Sequence, residues 1–177
     1  MEDIKLSNDV IEQIKNFKHK YLTEEQSLLV NKLILNNELN ELYKKYGLCE
    51  ECKQPNTGRW NWCQSCNGKH FQRNFKNWTS GNYDIDELIR RTQLKAKNDG
   101  EALEWIEYDR FESIEYLAKG GFGTAFKAIW KDGNIESWNS ESNQWVRYKH
   151  DKKDFTVVLK RLHDSQEISS EFLKEVR

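Results

Sequence analysis

Apolar positions in the first quarter of the chain recur at a helical period. From Ile4 to Tyr46 there is neither glycine nor proline; Val10, Ile11, Ile14 and Phe17 fall on one helical face, and Leu28, Leu29, Leu35, Leu39 and Leu42 on another. The spacing predicts two helices. Thr23-Glu24-Glu25-Gln26 has the form of a capping box, in which threonine and glutamine side chains satisfy free backbone N–H groups, so the second helix starts there and Gly47 ends it. Lys32 and Asn36 interrupt any clean heptad, which makes the stripe a core or partner-facing surface rather than a coiled coil.

The pattern breaks over residues 48–77, where the cysteines lie, and resumes after a turn, Trp78-Thr79-Ser80-Gly81-Asn82. A helix follows with Asp84 near its start and Ile85, Leu88 and Ile89 on its apolar face. Lys95-Ala96-Lys97-Asn98-Asp99-Gly100 is polar and ends in Asp-Gly, the composition of a linker. From Ile114 the texture changes to short β-prone runs: Ile114–Leu117, Thr124–Trp130, Ile135–Trp138, Trp145–Tyr148 and Phe155–Leu159. Asp132-Gly133 and Asn139–Asn143 supply the hairpin connections, because glycine, asparagine and aspartate tolerate positive φ. Ser169 to Arg177 reads as the first turns of a last helix. The expected fold class is therefore α+β: a helical segment 1–47, a cysteine module with its helix 48–94, a linker 95–110, and an antiparallel sheet with the start of a helix over 111–177.

Composition narrows the function classes. Lys and Arg total 28 against 29 Asp and Glu, so the net charge of −1 gives no global attraction to nucleic acid or an anionic membrane. With 12 % aromatic residues the chain is folded despite its 32 % charge. No apolar run is long enough to span a bilayer and the first residues lack a secretory core, which predicts an intracellular protein, cytoplasmic or nuclear. Cysteines there stay reduced and favour metal over disulfides.

All four cysteines fall in two C-x-x-C pairs, Cys49/Cys52 and Cys63/Cys66. Each pair aims two thiolates at one ion, and two pairs separated by a short turn give the closed tetrahedral set of a structural zinc site, with Trp60 and Trp62 placed to cover it. A second copy of the motif argues against a redox dithiol. His70 is not needed once four cysteines saturate the metal. A zinc-dependent nucleic-acid binder is the rival reading, resting on Arg59, Lys69, Arg73 and Lys76 interleaved with Trp60, Phe71, Phe75 and Trp78.

Residues 117–123 read Leu-Ala-Lys-Gly-Gly-Phe-Gly, and Val157-Val158-Leu159-Lys160 follows. Alone, a glycine cluster is also what a tight hairpin needs. The order of glycine loop, β-type segment, strand bearing a lysine and helix bearing Glu175 resembles the N-terminal lobe of the eukaryotic protein kinase family. The chain also resembles fungal kinase-like proteins with a paired-cysteine segment ahead of the kinase domain. The resemblance implies ATP with magnesium as ligand. It places Gly120, Gly121, Phe122 and Gly123 over the β- and γ-phosphates, Ala118 at the first glycine position of the loop, and Leu117, Ala125 and Val158 against the adenine. Lys160 would hold the α- and β-phosphates and pair with Glu175, or with Glu171 one turn earlier.

Three departures from the family pattern stand out: Ala118 for the first glycine, Val158 for the usual alanine, and a longer interval between Gly123 and Lys160. The extra length predicts a hairpin over Ile135–Tyr148 with Trp138 and Trp145 paired across it. The 177 residues contain no His-Arg-Asp or Asp-Phe-Gly motif; Tyr108-Asp109-Arg110-Phe111 and Asp154-Phe155-Thr156 stand in the wrong order. The expectation is a kinase family member present as a fragment, its lobe incomplete and with an open sheet edge. It would bind ATP, with γ-phosphoryl transfer to a protein hydroxyl left to a full-length parent and protein substrates or signalling partners implied. The alternative is a non-enzymatic zinc adaptor with a kinase-like remnant.

Overall fold

The computed structural model of the protein describes residues 4–121, 123–148 and 155–163. Its first helix, α1 (Asn8–Ile14), starts at Ser7, whose hydroxyl accepts from Val10 N–H. The capping box opens α2 (Glu24–Leu33), Gln26 N–H reaching Thr23 Oγ1 and Thr23 N–H reaching Gln26 Oε1, both at 3.1 Å. Where one helix to Gly47 was expected there are two, because the chain breaks at Ile34–Asn36 and α3 (Asn37–Tyr46) begins anew. The cause is Asn36: its Oδ1 accepts from Leu39 N–H at 2.9 Å, a local bond that competes with helix continuation. Asn40 Nδ2 then donates to the Ile34 carbonyl (3.1 Å), which α2 leaves free at its end.

This break shifts the helical phase. Leu28 and Leu35, expected on the apolar face, are 69 % and 83 % exposed, and Val30, Ile34 and Tyr43 fill the core with Leu6, Ile11 and Ile14. Gly47 ends α3 with φ 73°, and a Cβ there would meet the His19 ring at 2.5 Å, so both backbone and space require glycine.

The helices are tied to the cysteine segment. Gln54 pairs through its side-chain amide with both backbone groups of Leu6, and Asn56, fully buried, bonds to Gly47 and Tyr46 carbonyls. Beyond the cysteines run α4 (Gln64–Asn74) and α5 (Tyr83–Lys95), the latter capped by Asn82 Oδ1 accepting from Asp84 and Ile85 N–H. Leu88 and Ile89 are buried and Ile85 half-buried. The expected linker is packed rather than free: Ala96 is buried and its carbonyl accepts from Trp62 Nε1 at 2.9 Å, and Gln93 holds the Leu103 carbonyl at 2.7 Å.

All five expected strands form, as β1 (Phe111–Lys119), β2 (Gly123–Trp130), β3 (Ile135–Asn139), β4 (Gln144–Arg147) and β5 (Thr156–Leu162). Strands β1, β2 and β5 make an antiparallel sheet in the order β1-β2-β5, and β3–β4 is a separate hairpin inserted between β2 and β5. Trp138 lies opposite Trp145, as the pattern predicts. Asn139 Oδ1 accepts from Glu141 and Ser142 N–H to shape the hairpin turn. At the hairpin base Gly133 adopts φ 70° directly against the Tyr148 carbonyl, while Trp130 N–H bonds to Phe155 O at 2.8 Å. The helix expected over Ser169–Arg177 lies outside the described residues.

Candidate metal centre and glycine-loop cleft

The first C-x-x-C forms a knuckle. Lys53 N–H returns to Cys49 O (3.0 Å) with Lys53 at φ 57°, Cys49 N–H bonds to Gln54 O (2.7 Å), and Leu48 and Pro55 bridge the two sides. The second pair opens α4, with Cys63 at its N-cap and Cys66 in its first turn. All four Sγ atoms lie within 4.8 Å of one another; Cys49 and Cys66 are 3.8 Å apart and Cys52 and Cys63 3.6 Å. A tetrahedral zinc with bonds of ~2.3 Å has sulfur–sulfur edges of roughly 3.8 Å, so spacing and donor chemistry both fit this metal.

The thiols oppose one another's ionisation. Burial and the neighbouring Cys49 push Cys66 up to about 12, and hydrogen bonding with Cys49 and Cys52 pushes Cys63 far upward. Cys52 is held down to about 2 by hydrogen bonds from Cys49 and Cys63. A divalent cation removes this opposition, since it stabilises every thiolate at once. Four cysteine ligands would leave a bound metal no coordination position open for water, the arrangement of a structural rather than a catalytic site.

The tryptophans take other places than expected. Trp62 is fully buried, but against Phe71 (6.3 Å between ring centroids) and Trp145 (6.1 Å) rather than over the sulfurs, and Trp60 is 60 % exposed. His70 is buried away from the thiols; its Nε2 sits 2.9 and 3.1 Å from the Glu51 carboxylate oxygens and its ring stacks on Trp138 at 3.9 Å. Phe71 and Phe75 belong to the aromatic core and Trp78 lies under the Arg90 guanidinium at 5.4 Å, so three of the four aromatics in the nucleic-acid reading have structural work.

A second site lies at the mouth of the sheet. Ala118, Lys119, Gly120, Gly121, Gly123, Ala125, Val158 and Lys160 line a cleft of about 300 Å³. The β2–β5 register sets Ala125 opposite Lys160 and Lys127 opposite Val158, and the turn closes through Gly120 N–H to Gly123 O at 2.8 Å. A Cβ on Gly123 would meet Arg161 O at 2.6 Å, so a side chain there forces β2 from β5. Leu117 stands outside the lining and is 49 % exposed. The register steps from Tyr116–Phe126 to Ala118–Ala125, leaving Leu117 as the extra residue of a bulge.

Lys119 joins the cleft although the sequence reading passed over it; its place between Ala118 and Gly120 was the available signal. Among the described residues neither Lys119 nor Lys160 has an ion-pair partner, and no acid lines the cleft. Phe122, Glu171 and Glu175 lie outside the described residues. No family model, curated protein or solved structure matches the chain. No helix among the described residues is long and apolar enough to cross a membrane.

Proposed function

We propose that the chain joins a structural zinc module to a nucleotide-binding lobe of the protein kinase type, with ATP and magnesium as the ligand and an intracellular, reducing location. The carrying observation is the cleft, in which three glycines and two lysines, neither ion-paired among the described residues, converge beside the apolar surface of Ala118, Ala125 and Val158. Backbone N–H groups free of side chains approach phosphate closely, and fixed ammonium groups offset its charge. Lys160 is the phosphate anchor, Lys119 a second cation at the loop, and Ala125 and Val158 the surface for the base. Bound magnesium would supply charge neutralisation at the phosphates. The 177 residues carry neither the catalytic-loop nor the metal-binding motif of a kinase. Nucleotide binding is therefore the part of the reaction assigned to these residues, and transfer to a protein hydroxyl belongs to the full kinase reading.

Binding of a fluorescent ATP analogue to the zinc-loaded chain tests this. Lys160→Ala removes one charge-assisted contact and should weaken binding roughly ten- to hundredfold. Absence of binding by the wild-type chain, or equal affinity in the variant, would leave the zinc adaptor as the better reading, which the four-cysteine geometry supports by itself.

A further inference from the structure

The β3–β4 hairpin, the insertion that separates this sheet from the ordinary kinase pattern, does not project into solvent. It lies on the cysteine module. Trp145 packs on Phe71 at 4.4 Å and on Trp62 at 6.1 Å, Trp138 stacks on His70 at 3.9 Å with 12° between planes, and the two tryptophans meet edge to face at 5.1 Å. Buried Ile135 shares a core with Trp62, Phe71 and Ala96.

Each partner on the module side is placed by a cysteine. Glu51, which holds His70, lies inside the first C-x-x-C; Trp62 directly precedes Cys63; His70 and Phe71 sit one turn beyond Cys66 on α4. Apart from its sulfurs the cluster has no apolar residues of its own, so the first knuckle meets α4 through the Glu51–His70 contact, and ligation would add the bonds that fix it there. On the other side the hairpin is spliced between the strands that carry Ala125 and Lys160. Arg147 anchors its base, bonding to Gly133 O at 2.8 Å and Glu104 at 2.6 Å and lying 5.8 Å from the Trp130 ring centre at the end of β2. Trp130 in turn meets Phe155, just before β5, at 5.7 Å.

We infer that the four-cysteine centre and the glycine-loop cleft are thermodynamically linked through this hairpin. Closing the cysteine cluster holds Glu51, His70, Phe71 and Trp62 as one docking face; the docked hairpin holds together the ends of β2 and β5, and with them the cleft. Linkage is reciprocal: an undocked hairpin must also weaken retention of the metal, by the same factor. The part concerning the cleft rests on the nucleotide reading; the part joining metal to hairpin does not.

The test uses the whole chain loaded with zinc. Hydrogen exchange of the 135–147 amides should rise roughly tenfold when a chelator removes the metal. Unchanged exchange there, with the cysteine loops opened, would overturn the inference. If chelation unfolds the chain, Trp138→Ala decides the matter, because it leaves every ligand in place: the equilibrium constant for transfer of zinc to a competing chelator should rise roughly tenfold, and an unaltered zinc affinity overturns the link between metal and hairpin. The same variant should bind the ATP analogue roughly five- to tenfold more weakly with Lys160 intact. Equal affinity in wild type and variant removes the cleft from the linkage. A wild-type chain that binds no nucleotide sinks the nucleotide reading instead, and the metal–hairpin link is then judged by exchange and zinc transfer.

Discussion

Asp86 is a buried carboxylate with no part in either site, and it shows how single residues hold the frame. Burial works against its ionisation, but Ser80 donates through Oγ (2.6 Å) and N–H (2.8 Å), Thr79 Oγ1 donates at 2.6 Å, and Arg90 lies 3.7 Å away. Together these outweigh burial and hold the carboxyl below its ordinary 3.8. With the folded pKa depressed, the unfolded chain takes up the proton first as pH falls. Asp86 therefore stabilises the fold fully above its ordinary pKa, and that contribution is lost as pH drops through the folded value. Asp86→Ala should cost about 2 kcal/mol at pH 7 and less as the pH falls below 3.8 toward the folded value, which urea titrations across that range would check; a loss independent of pH would contradict the assignment. At this scale the cluster of four cysteines was legible because the paired C-x-x-C spacing is written in the sequence alone. The roles of Glu51, His70 and Asp86 were not, since each depends on a partner 6 to 19 residues away whose approach only the folded chain decides.

At the scale of elements, the strands and caps were readable because alternation, turn residues and capping boxes are local properties. The split of the second helix was not, although its cause, Asn36, was already visible as an interruption of the heptad. A leucine stripe reads the same on one long helix or two short ones; the distinction lies in Asn40, which donates from α3 to the free carbonyl of Ile34. Asn40→Ala should then cost about 1–2 kcal/mol in chemical denaturation, by leaving a buried carbonyl without a donor. Were α2 and α3 one helix in solution, alanine, a better helix former, would be neutral or stabilising there. Leu117 teaches the same lesson in the sheet. Strict alternation cannot place it, because the bulge beside Ala118 inserts an extra residue and only the paired register reveals which one.

On the scale of the whole molecule, the surprise is where residues 95–110 and the hairpin lie. A polar run ending in Asp-Gly has the composition of a linker, and composition says nothing about Ala96 offering its carbonyl to a tryptophan 34 residues earlier. The hairpin tryptophans were expected to find one another; that they also find Phe71 and His70 is a long-range pairing that no periodicity encodes. Glu104 seals the junction, accepting from Ile135 N–H and Arg147, with burial pushing its carboxyl upward against the pull of that arginine. Trp62 stands where the cysteine module, the 95–110 segment and the hairpin meet, fully buried and hydrogen-bonded. If the parts share a single core there, heating should abolish the aromatic near-ultraviolet circular dichroism and release zinc in one coincident transition. Trp62→Ala, at a cost of about 3–5 kcal/mol, should lower both midpoints together by roughly 10 °C. An aromatic signal that melts early while zinc stays bound would mean that the hairpin rests on the module without being held by it.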